Sequence, residues 1–372
     1  MTYANTLPHA GVLADAPPTA IDTPDLATIA GVGTAVPPTA YSQREILDIF
    51  QIEDAKIRSV FLNGAIERRN LTLPPEGPDG SRVLEEQGEL LAKHKSQGVA
   101  MGAAALQKCL EAANATVADV KYLCCVTSTG FLTPGLSALL IEETGIDPSC
   151  SRLDVVGMGC NAGLNALNAV NGWARANPGE LAVMLCDESC SAAYVFDGTL
   201  RTSVVNSLFG DGAAAIAVVA GEGSSRGPRI LKFSSYIITD AIDAMRYDWD
   251  SSQDRFSFYL DPHIPYVVGG HAERVVDRLL AGTGLGRTDI AHWLVHSGGK
   301  KVIDSVAVNL GLTRHDVRHT VSVLRDYGNL SSGSFLFSYE RLAQEKVVNP
   351  GEYGVLMTMG PGSTIECALV RW

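Results

Sequence analysis

The sequence is short of positive charge and of long apolar runs. Its 372 residues include 29 Lys and Arg against 41 Asp and Glu, which gives a formal net charge of −12. An excess of negative charge repels phosphate backbones, so we predict no nucleic-acid partner. No apolar run approaches the roughly 20 residues that cross a bilayer, and the N-terminus lacks the basic and apolar regions of a secretory signal. We therefore expect no membrane segment and a cytoplasmic protein.

The cysteines lack the spacing of a metal site. None of the eight forms a Cys-x-x-Cys pair, so we predict no bound metal. Without a secretory signal, we expect reduced thiols rather than a disulfide scaffold. A nicotinamide cofactor is not expected either. Gly31 and Gly33 lack the third glycine of a dinucleotide fingerprint, and Pro37 and Pro38 interrupt any immediate helix.

Strand and helix patterns alternate along the chain and predict an α/β protein. Residues 1–26 are rich in Ala, Pro and Thr without a period, which is typical of a mobile arm. A short strand begins at Thr28 and is expected to end in a glycine turn at 31–33. Further strands are predicted at 122–128, 153–158, 181–187, 213–219, 229–238, 292–297, 354–359 and 364–370. Helices are predicted at 43–52, 97–114, 136–145, 161–176, 263–282, 300–311 and 333–345.

Two pairs of segments within the chain are similar to each other. Residues 117–130 resemble 287–299, since each is a polar turn followed by an apolar strand and small residues. Residues 209–219 resemble 359–369, since each is a glycine hairpin that leads into a strand. These similarities predict two related halves whose helices stack between two sheets, with chance similarity as the alternative. The predicted halves are residues 27–222 and 223–372.

One cysteine lies in a segment that favours reactivity. The apolar run Leu153-Asp-Val-Val is followed by tight glycines, then by Cys160, and then by a predicted helix of small residues. This pattern places the thiol at a helix N-terminus, where the dipole and free N–H groups lower the pKa and favour the thiolate. The same segment also fits a buried structural cysteine, the usual environment of a free thiol.

Two later residues could serve such a thiol. His296 ends an apolar strand beside small residues, a position from which a side chain can point into a cleft. His292, on the same strand, is the weaker candidate because it lies nearer the strand start. Asn329 precedes an amphipathic helix. Each alone also fits a structural histidine or a turn asparagine, whereas together with Cys160 they indicate nucleophilic catalysis.

Papain-like cysteine proteases have the same order of residues. His296 follows Cys160 by 136 residues (296 − 160), which lies within their spacing. The sequence around Cys160 lacks their Cys-Gly-Ser-Cys-Trp pattern and follows a buried strand in the middle of the chain. A papain-like protease is therefore disfavoured, and a cysteine hydrolase of another kind stays open.

Five motifs in a fixed order carry a family resemblance. They are Gly159-Cys-Asn-Ala-Gly163, Leu208-Phe-Gly-Asp-Gly-Ala-Ala-Ala215, His296-Ser-Gly-Gly299, Gly328-Asn-Leu-Ser-Ser332 and Gly360-Pro-Gly362. Through them residues 27–372 resemble the thiolase-fold condensing enzymes, and within these the type III polyketide synthases of the chalcone synthase type. The resemblance implies a thiolase fold, with duplicated halves in a five-layered αβαβα architecture. It also implies a homodimer that uses coenzyme A thioesters as substrates and needs no cofactor.

The resemblance also implies roles for the residues already singled out. Cys160 would accept the acyl group from a coenzyme A thioester, and His296 would hold its thiolate. His296 and Asn329 would hydrogen-bond the thioester carbonyl and stabilise the enolate that forms when malonyl-CoA loses carbon dioxide. Phe209 and Phe258 match two aromatic residues between the access tunnel and the cavity, although plain core packing would explain them as well.

The resemblance also implies a positively charged entrance that binds the phosphates of coenzyme A, but it identifies the residues of this entrance less specifically than the catalytic ones. Lys56 and Arg58 fall near the family's basic residues, and Lys300 is a further candidate, while a solvated helix face explains these charges equally well. Ser331, within the Gly328–Ser332 motif, joins the expected substrate-binding residues.

Departures from the plant pattern bear on the product. Asn161 replaces a Phe, Thr133 replaces a Met that crosses the dimer interface, Ala193 replaces a cavity Thr, and Thr358-Met359 replace a Gly-Phe pair. Large aromatic starters are therefore not expected. The pattern resembles most the bacterial members of glycopeptide-antibiotic pathways, in which malonyl-CoA is both starter and extender.

In those members four malonyl-CoA units give a C8 chain that cyclises to 3,5-dihydroxyphenylacetyl-CoA, and auxiliary pathway enzymes could aid aromatisation. The alternatives within the superfamily are a tetrahydroxynaphthalene-forming synthase and a ketoacyl synthase III-like enzyme that needs a carrier protein. A protein that binds acyl-CoA without turnover is the non-catalytic alternative.

Overall fold

A computed structural model of the protein describes residues 26–221 and 227–372. The predicted arm at residues 1–26 lies outside the described residues except for Leu26, which is buried. The predicted boundary between the halves, at 222–223, also lies outside them. No helix of the described ranges is long and apolar enough to span a membrane.

The described chain alternates between strands and helices as the sequence predicts, and its elements follow in chain order. The strands are β1 (Ala27–Ala35), β2 (Ala40–Ser42), β3 (Arg68–Asn70), β4 (Val120–Thr127), β5 (Ser151–Val156), β6 (Leu181–Glu188), β7 (Gly212–Ala220), β8 (Arg229–Ile237), β9 (Met245–Asp250), β10 (Arg255–Leu260), β11 (Ile290–Val295), β12 (Tyr353–Gly360) and β13 (Thr364–Arg371). The helices are α1 (Gln43–Ile49), α2 (Ala55–Leu62), α3 (Gln87–Ala112), α4 (Leu136–Thr144), α5 (Ala162–Ala176), α6 (Leu200–Asn206), α7 (Ile264–Leu280), α8 (Lys300–Leu310), α9 (Arg318–Tyr327) and α10 (Ser334–Glu345).

Nine strands are hydrogen-bonded in the order β11-β12-β13-β8-β1-β7-β6-β4-β5. The pairings repeat across this order. The parallel pair β4–β6 corresponds to the parallel pair β11–β12, and β6–β7–β1 corresponds to β12–β13–β8, with antiparallel pairs in both. The two groups of strands meet where β1 lies beside β8, and only Thr28 and Arg229 are paired there. The repeat suggested by the sequence is therefore present as two sets of strands of matching topology within this order. We call β1, β7, β6, β4 and β5 the first sheet and β8, β13, β12 and β11 the second sheet.

Helices cover these sheets in layers. Helices α5 and α10 contact strands of both sheets and form a central layer, which explains the small and apolar residues along α5. Helices α3 and α4 cover the outer face of the first sheet, and α7 and α8 cover that of the second. Strands β6 and β7 are buried on both faces, as expected for central strands that read as continuous apolar runs.

The glycines near the start of the chain do not form the expected turn. Strand β1 continues through Gly31 and Gly33 to Ala35, so that prediction is wrong. A Cβ at Gly33 would lie 2.3 Å from the backbone nitrogen of Cys109 in α3. These glycines therefore serve close packing of a helix on a strand rather than a change of direction.

The sequence patterns missed several short elements. They did not predict α2, α6, α9, β2, β3 or the hairpin of β9 and β10, and α3 begins ten residues earlier than expected (97 against 87). In the hairpin, Phe256 pairs with Trp249 and Phe258 pairs with Tyr247. The hairpin thus presents a row of aromatic rings, and Phe258 brings it to the candidate site.

Candidate active site

Cys160 lies directly before α5, at the turn between a sheet and the central helical layer. Asn161 is the N-cap residue of that helix, so the thiol occupies the position that the sequence predicted. The preceding Gly159 donates its N–H to the Ser128 hydroxyl at 2.7 Å, which anchors the turn to the end of β4. The Cys160 side chain is buried.

His296 follows β11 in the second half of the chain. Its backbone N–H donates to the carbonyl of Met357 at 2.8 Å, which extends the pairing of β11 with β12. Its ring Nδ1 forms a short hydrogen bond with the hydroxyl of Ser334 at the start of α10. The backbone of His296 is therefore held by β12, and its imidazole is held by Ser334.

Asn329 lies between α9 and α10, and backbone contacts fix it to the loop that contains Phe209. Its N–H donates to the Leu208 carbonyl at 2.9 Å, and its own carbonyl accepts from Gly210 at 3.0 Å. Its side-chain Oδ1 accepts from the N–H of Ser331 at 2.8 Å. Because the oxygen is occupied, the Nδ2 group is the part of this amide that is left to donate.

The fold brings these residues of both halves together around one turn. The sulfur of Cys160 lies 3.6 Å from the Ser331 hydroxyl, two residues after Asn329, and Ser334 of the same segment holds His296. Ser331 is buried. Its backbone has a positive φ of 49°, and its hydroxyl faces the thiol. No direct hydrogen bond joins Cys160 and His296 in the described residues.

The expected thiolate is not the form that this arrangement favours. Burial raises the pKa of Cys160 to about 12, and although the Ser331 hydroxyl opposes this shift, the buried Glu188 adds to it. Burial also lowers the pKa of His296 to about 3. Burial therefore shifts the pKa of both groups in the direction of their neutral forms, opposite to the effect of the helix N-terminus, and the thiolate stays a prediction.

Glu188 is a buried acid that the sequence patterns missed. Its carboxyl accepts from the N–H of Ser128 at 2.9 Å and from the hydroxyl of Ser332 at 2.5 Å. Burial raises its pKa, while these donors oppose the shift. It ties the end of β6 to the segment that carries Asn329. Two adjacent acidic residues at a strand end, Asp187 and Glu188, match no catalytic motif in the sequence.

Phe209 and Phe258 lie close together in the cluster that contains Cys160. The resemblance, which assigns both rings to one cavity, requires such proximity. Their ring centroids lie 6.4 Å apart, and both belong to the buried cluster that includes Cys160. The buried guanidinium of Arg69 donates to the Phe209 carbonyl at 2.7 Å and holds that loop in place. Tyr194 completes the same cluster and was not predicted.

The expected positively charged entrance is less well supported by the geometry. Lys56 is exposed on α2, while Arg58 is half-buried and donates to the carbonyl of Ile52 at 2.8 Å. Lys300 is exposed and pairs with Asp304 at 2.5 Å. Within the described residues, no shared hydrogen bond or ion pair arranges these three side chains into one site. Their role in coenzyme A binding therefore stays a prediction.

Asn161, where plant enzymes have Phe, packs tightly against the glycine loop after β12. A Cβ at Gly360 would lie 2.4 Å from Asn161 Oδ1 and 2.9 Å from the backbone nitrogen of Cys160. The Asn161 side chain is buried and its Oδ1 has no hydrogen-bond partner. Position 360 must therefore be glycine for the nucleophile turn to keep this shape.

Metal binding is not indicated by the side chains. Within residues 26–221 and 227–372, no group of three or more His, Cys, Asp or Glu residues is arranged to hold a metal ion. All eight cysteines are free and buried.

Family models match both halves of the chain. Residues 19–222 match the N-terminal domain of the chalcone and stilbene synthases, and residues 246–372 match the C-terminal domain of the same enzymes. The chain therefore belongs to the chalcone and stilbene synthase family, the type III polyketide synthases.

Within that family the chain shows high sequence identity to enzymes of one kind. It is 72% identical over 348 residues to the 3,5-dihydroxyphenylacetyl-CoA synthase of Amycolatopsis orientalis, with 94% of each chain covered. It is 73% identical to the enzyme of the same name from Amycolatopsis balhimycina, again over 94% of each chain. Identity to the 1,3,6,8-tetrahydroxynaphthalene synthase of Streptomyces peucetius is 32%, with 93% of each chain covered.

Solved structures support the fold. The chain superposes on PKS-I from the brown alga Ectocarpus siliculosus with a TM-score of 0.86 and 25% identity, covering 93% of this chain and 98% of that one. The thiolase-type α/β fold predicted from the motifs is confirmed.

Proposed function

We propose that the protein condenses malonyl-CoA units with loss of carbon dioxide and cyclises the product to 3,5-dihydroxyphenylacetyl-CoA. The observation that carries this proposal is the 72–73% identity to two 3,5-dihydroxyphenylacetyl-CoA synthases, more than twice the 32% identity to a tetrahydroxynaphthalene synthase. The buried site around Cys160 is chemically suited to each step.

In the first step, Cys160 attacks the thioester carbonyl and takes the acyl group. The carbon–sulfur bond to coenzyme A breaks, and we assign the thiol proton to His296, which passes it to the departing thiol. Burial raises the pKa of Cys160 and lowers that of His296, which favours the neutral form of each before the substrate binds. Proton transfer is therefore coupled to substrate binding rather than completed in advance.

In the second step, the carboxylate of a further malonyl-CoA leaves as carbon dioxide and its electron pair forms an enolate. The Ser334 hydroxyl can donate to or accept from Nδ1 of His296, and when it donates the ring proton is on Nε2, while Asn329 presents Nδ2. These two donors stabilise the oxyanion. The enolate carbon then attacks the acyl group on Cys160, so that a carbon–carbon bond forms, the carbon–sulfur bond to Cys160 breaks, and the released thiolate takes a proton from solvent. The lengthened chain leaves this step as a coenzyme A thioester.

The coenzyme A substrate supplies the leaving group and the activated carbon, so the scheme requires no further cofactor. We assign coenzyme A phosphate binding to Lys56, Arg58 and Lys300, the exposed or half-exposed cations on α2 and α8. Phe209, Phe258 and Ser331 would line the path of the acyl chain to Cys160.

The proposal is tested by incubating the protein with ¹³C-labelled malonyl-CoA alone and identifying products by mass spectrometry. The expected product is 3,5-dihydroxyphenylacetyl-CoA or its free acid, with every ring carbon labelled. A labelled naphthalene would instead favour the tetrahydroxynaphthalene alternative. Thioester cleavage without carbon–carbon bond formation would favour a hydrolase, and binding without turnover a non-catalytic protein.

We also propose that two copies of the chain associate through β5. This strand is at the end of the sheet, so one of its sides has no neighbour within the described residues. Its Leu153 and Val156 are exposed, as is Phe131 in the loop between β4 and α4. An exposed edge strand with apolar side chains is normally covered in a native assembly.

A further inference from the structure

A buried arginine, Arg69, takes no part in the scheme above. It lies on β3, and only 1% of its surface is exposed. Burial lowers its pKa to about 10, although Asp211 and Cys190 oppose this shift, so the guanidinium is charged at neutral pH. Burying a charge is costly unless hydrogen bonds compensate for it. The partners of this cation therefore identify what it holds in place.

The hydrogen bonds of Arg69 converge on one loop. Nη1 donates to the backbone carbonyl of Asn206, the last residue of α6, and to that of Phe209 at 2.7 Å. Nε and Nη2 donate to Oε1 of Gln43 in α1 at 3.1 Å and 2.8 Å. The amide of Gln43 in turn donates to the carbonyl of Ser207 at 2.7 Å. The two side chains together thus hold three backbone carbonyls, which we call the 206–209 loop.

The same loop fixes the backbone of Asn329. The N–H of Asn329 donates to the Leu208 carbonyl, and the Asn329 carbonyl accepts from the N–H of Gly210. These bonds form a short parallel bridge between Phe209 and Asn329. Arg69 is therefore connected with the backbone of Asn329 through a single loop.

The stem of Arg69 also packs against the residue before Asn329. Gly328 has a positive φ of 75°. A Cβ there would lie 2.6 Å from the Leu208 carbonyl oxygen and 2.8 Å from Cδ of Arg69. The position of Asn329 thus depends on Arg69 through this close contact as well as through the loop.

The proposed scheme requires a defined place for the Asn329 amide. Its Nδ2 must meet the enolate oxygen as negative charge develops there. An error of about 1 Å, even from a distant substitution, can slow a reaction about 10²-fold. A planar guanidinium can hold Gln43 and two carbonyls at once, whereas the ammonium group of a lysine is a single point charge.

We propose that Arg69 is a positioning residue for decarboxylation, which sets the 206–209 loop and, through that loop, the place of the Asn329 amide. It acts through Asn329 rather than on the substrate. This inference rests on the proposed function and deepens it.

The test measures carbon dioxide release from ¹⁴C-carboxyl-labelled malonyl-CoA in Arg69→Lys, in Asn329→Ala and in the double variant. We expect Arg69→Lys alone to lower the rate about tenfold to hundredfold, because lysine cannot hold all three partners. In the Asn329→Ala background the same substitution should change the rate less than about twofold, since the amide that Arg69 positions is already absent. A merely structural role would lower the rate equally in both backgrounds.

Leu106→Ala is the matched control for lost stability. Leu106 is buried in the cluster on the outer face of the first sheet, which contains neither Arg69 nor Phe209. The cavity left by this substitution should lower the melting temperature. Carbon dioxide release by the folded variant should nevertheless equal that of the unaltered protein.

Gln43→Met is a second variant, which keeps Arg69 and decides the question if Arg69→Lys does not fold. It removes the acceptor of Nε and Nη2 and nearly preserves the length of the side chain. We expect the rate of carbon dioxide release to fall about threefold to tenfold, the effect of one or two lost hydrogen bonds. In the Asn329→Ala background the change should again be less than about twofold.

Unchanged release in Arg69→Lys and Gln43→Met overturns the inference, as does an equal fall in Leu106→Ala. Effects that multiply in the double variants also overturn it, because they show that Arg69 acts independently of Asn329. Failure of the unaltered protein to release carbon dioxide overturns the proposed function itself. That result is distinguishable, since it appears without any substitution.

Discussion

Single residues at this site are oriented by neighbours that do no chemistry themselves. The hydroxyl of Ser334 sets the imidazole of His296, and the backbone N–H of Ser331 sets the amide of Asn329. Orientation of this kind is what allows a donor to meet a developing charge without reorganising first.

Removing either donor should slow decarboxylation more than it disturbs the fold. We expect His296→Ala and Asn329→Ala each to lower the rate of carbon dioxide release from malonyl-CoA by about 10²–10³. Release is measured with ¹⁴C-carboxyl-labelled substrate. His292→Gln is the control, because His292 is on the same strand but pairs with Glu352 at 2.8 Å. Equal losses in all three variants would contradict the assignment.

The contact between Gly360 and the nucleophile turn makes a second prediction at this scale. A Cβ at position 360 would come within 2.6 Å of the Asn161 backbone nitrogen, so Gly360→Ala must displace the turn that holds Cys160. We expect loading of Cys160 by malonyl-CoA, followed by intact mass spectrometry, to fall at least about tenfold.

Gly172→Ala is the matched control for that measurement. Gly172 is in α5, and a Cβ there would meet no atom within 4 Å. This substitution should leave loading unchanged and raise stability by up to about 1 kcal/mol, because alanine is the better helix former. Normal loading in Gly360→Ala would refute the steric argument.

At the scale of elements, the segment from α9 to α10 has the most consequence for the site, since it carries Asn329 and Ser334. Asp326 near the end of α9 bonds its neighbour Arg325 and also Arg341 of α10 at 2.9 Å. The Arg325 hydrogen bond, followed by that of Arg341, lowers the pKa of Asp326 to about 2. The two helices are thus joined by an ion pair beside the loop between them.

A lowered carboxyl pKa contributes stability that is present above the unfolded value, about 4, and is lost as the pH falls toward 2. We therefore expect Asp326→Asn to reduce the free energy of unfolding at pH 7 by about 1 kcal/mol, a value discounted for solvent screening. The difference from the unaltered protein should shrink between pH 4 and pH 2, as followed by urea unfolding.

Asp304→Asn is the control for the ion pair. Asp304 also pairs with a cation, Lys300, but both side chains are exposed, and exposed pairs contribute little. Its unfolding curve should follow that of the unaltered protein at every pH. A pH-independent effect of Asp326→Asn would show that the charge is not the cause.

At the scale of the whole molecule, the two matching sheets leave β5 at one end of the order. Pairing of this edge with a second copy would cover its apolar side chains and continue the sheet across both chains. The proposed dimer therefore follows from the same repeat that creates the central helical layer.

A charge on the edge strand should oppose this association. We expect the unaltered protein to sediment at twice the mass of the chain, and Val156→Lys to shift the equilibrium toward the monomer. Val308→Lys is the control, because Val308 is 80% exposed on α8, in the other half of the chain. Analytical ultracentrifugation at several concentrations measures both. A monomeric unaltered protein would contradict the proposal.

The sequence by itself determined the class of the protein, most of its long elements and the identity of the central residues. Periodic apolar patterns in α5, β6 and β7 are local properties that packing does not reverse. The order of the five motifs identified Cys160, His296 and Asn329 before any geometry was known. Short elements such as α2 and α6 escaped because one or two turns carry too few apolar positions to show a period.

Only the tertiary structure decided the electrostatic state of the site and the neighbours of its thiol. Burial is a property of the assembled layers, so the raised pKa of Cys160 could not be read from its segment. The aromatic hairpin comes from the other half of the chain and Glu188 from the end of β6, and only packing around the central layer brings both near the thiol. Local sequence patterns determine which element each residue belongs to, whereas long-range packing determines which residues are in contact.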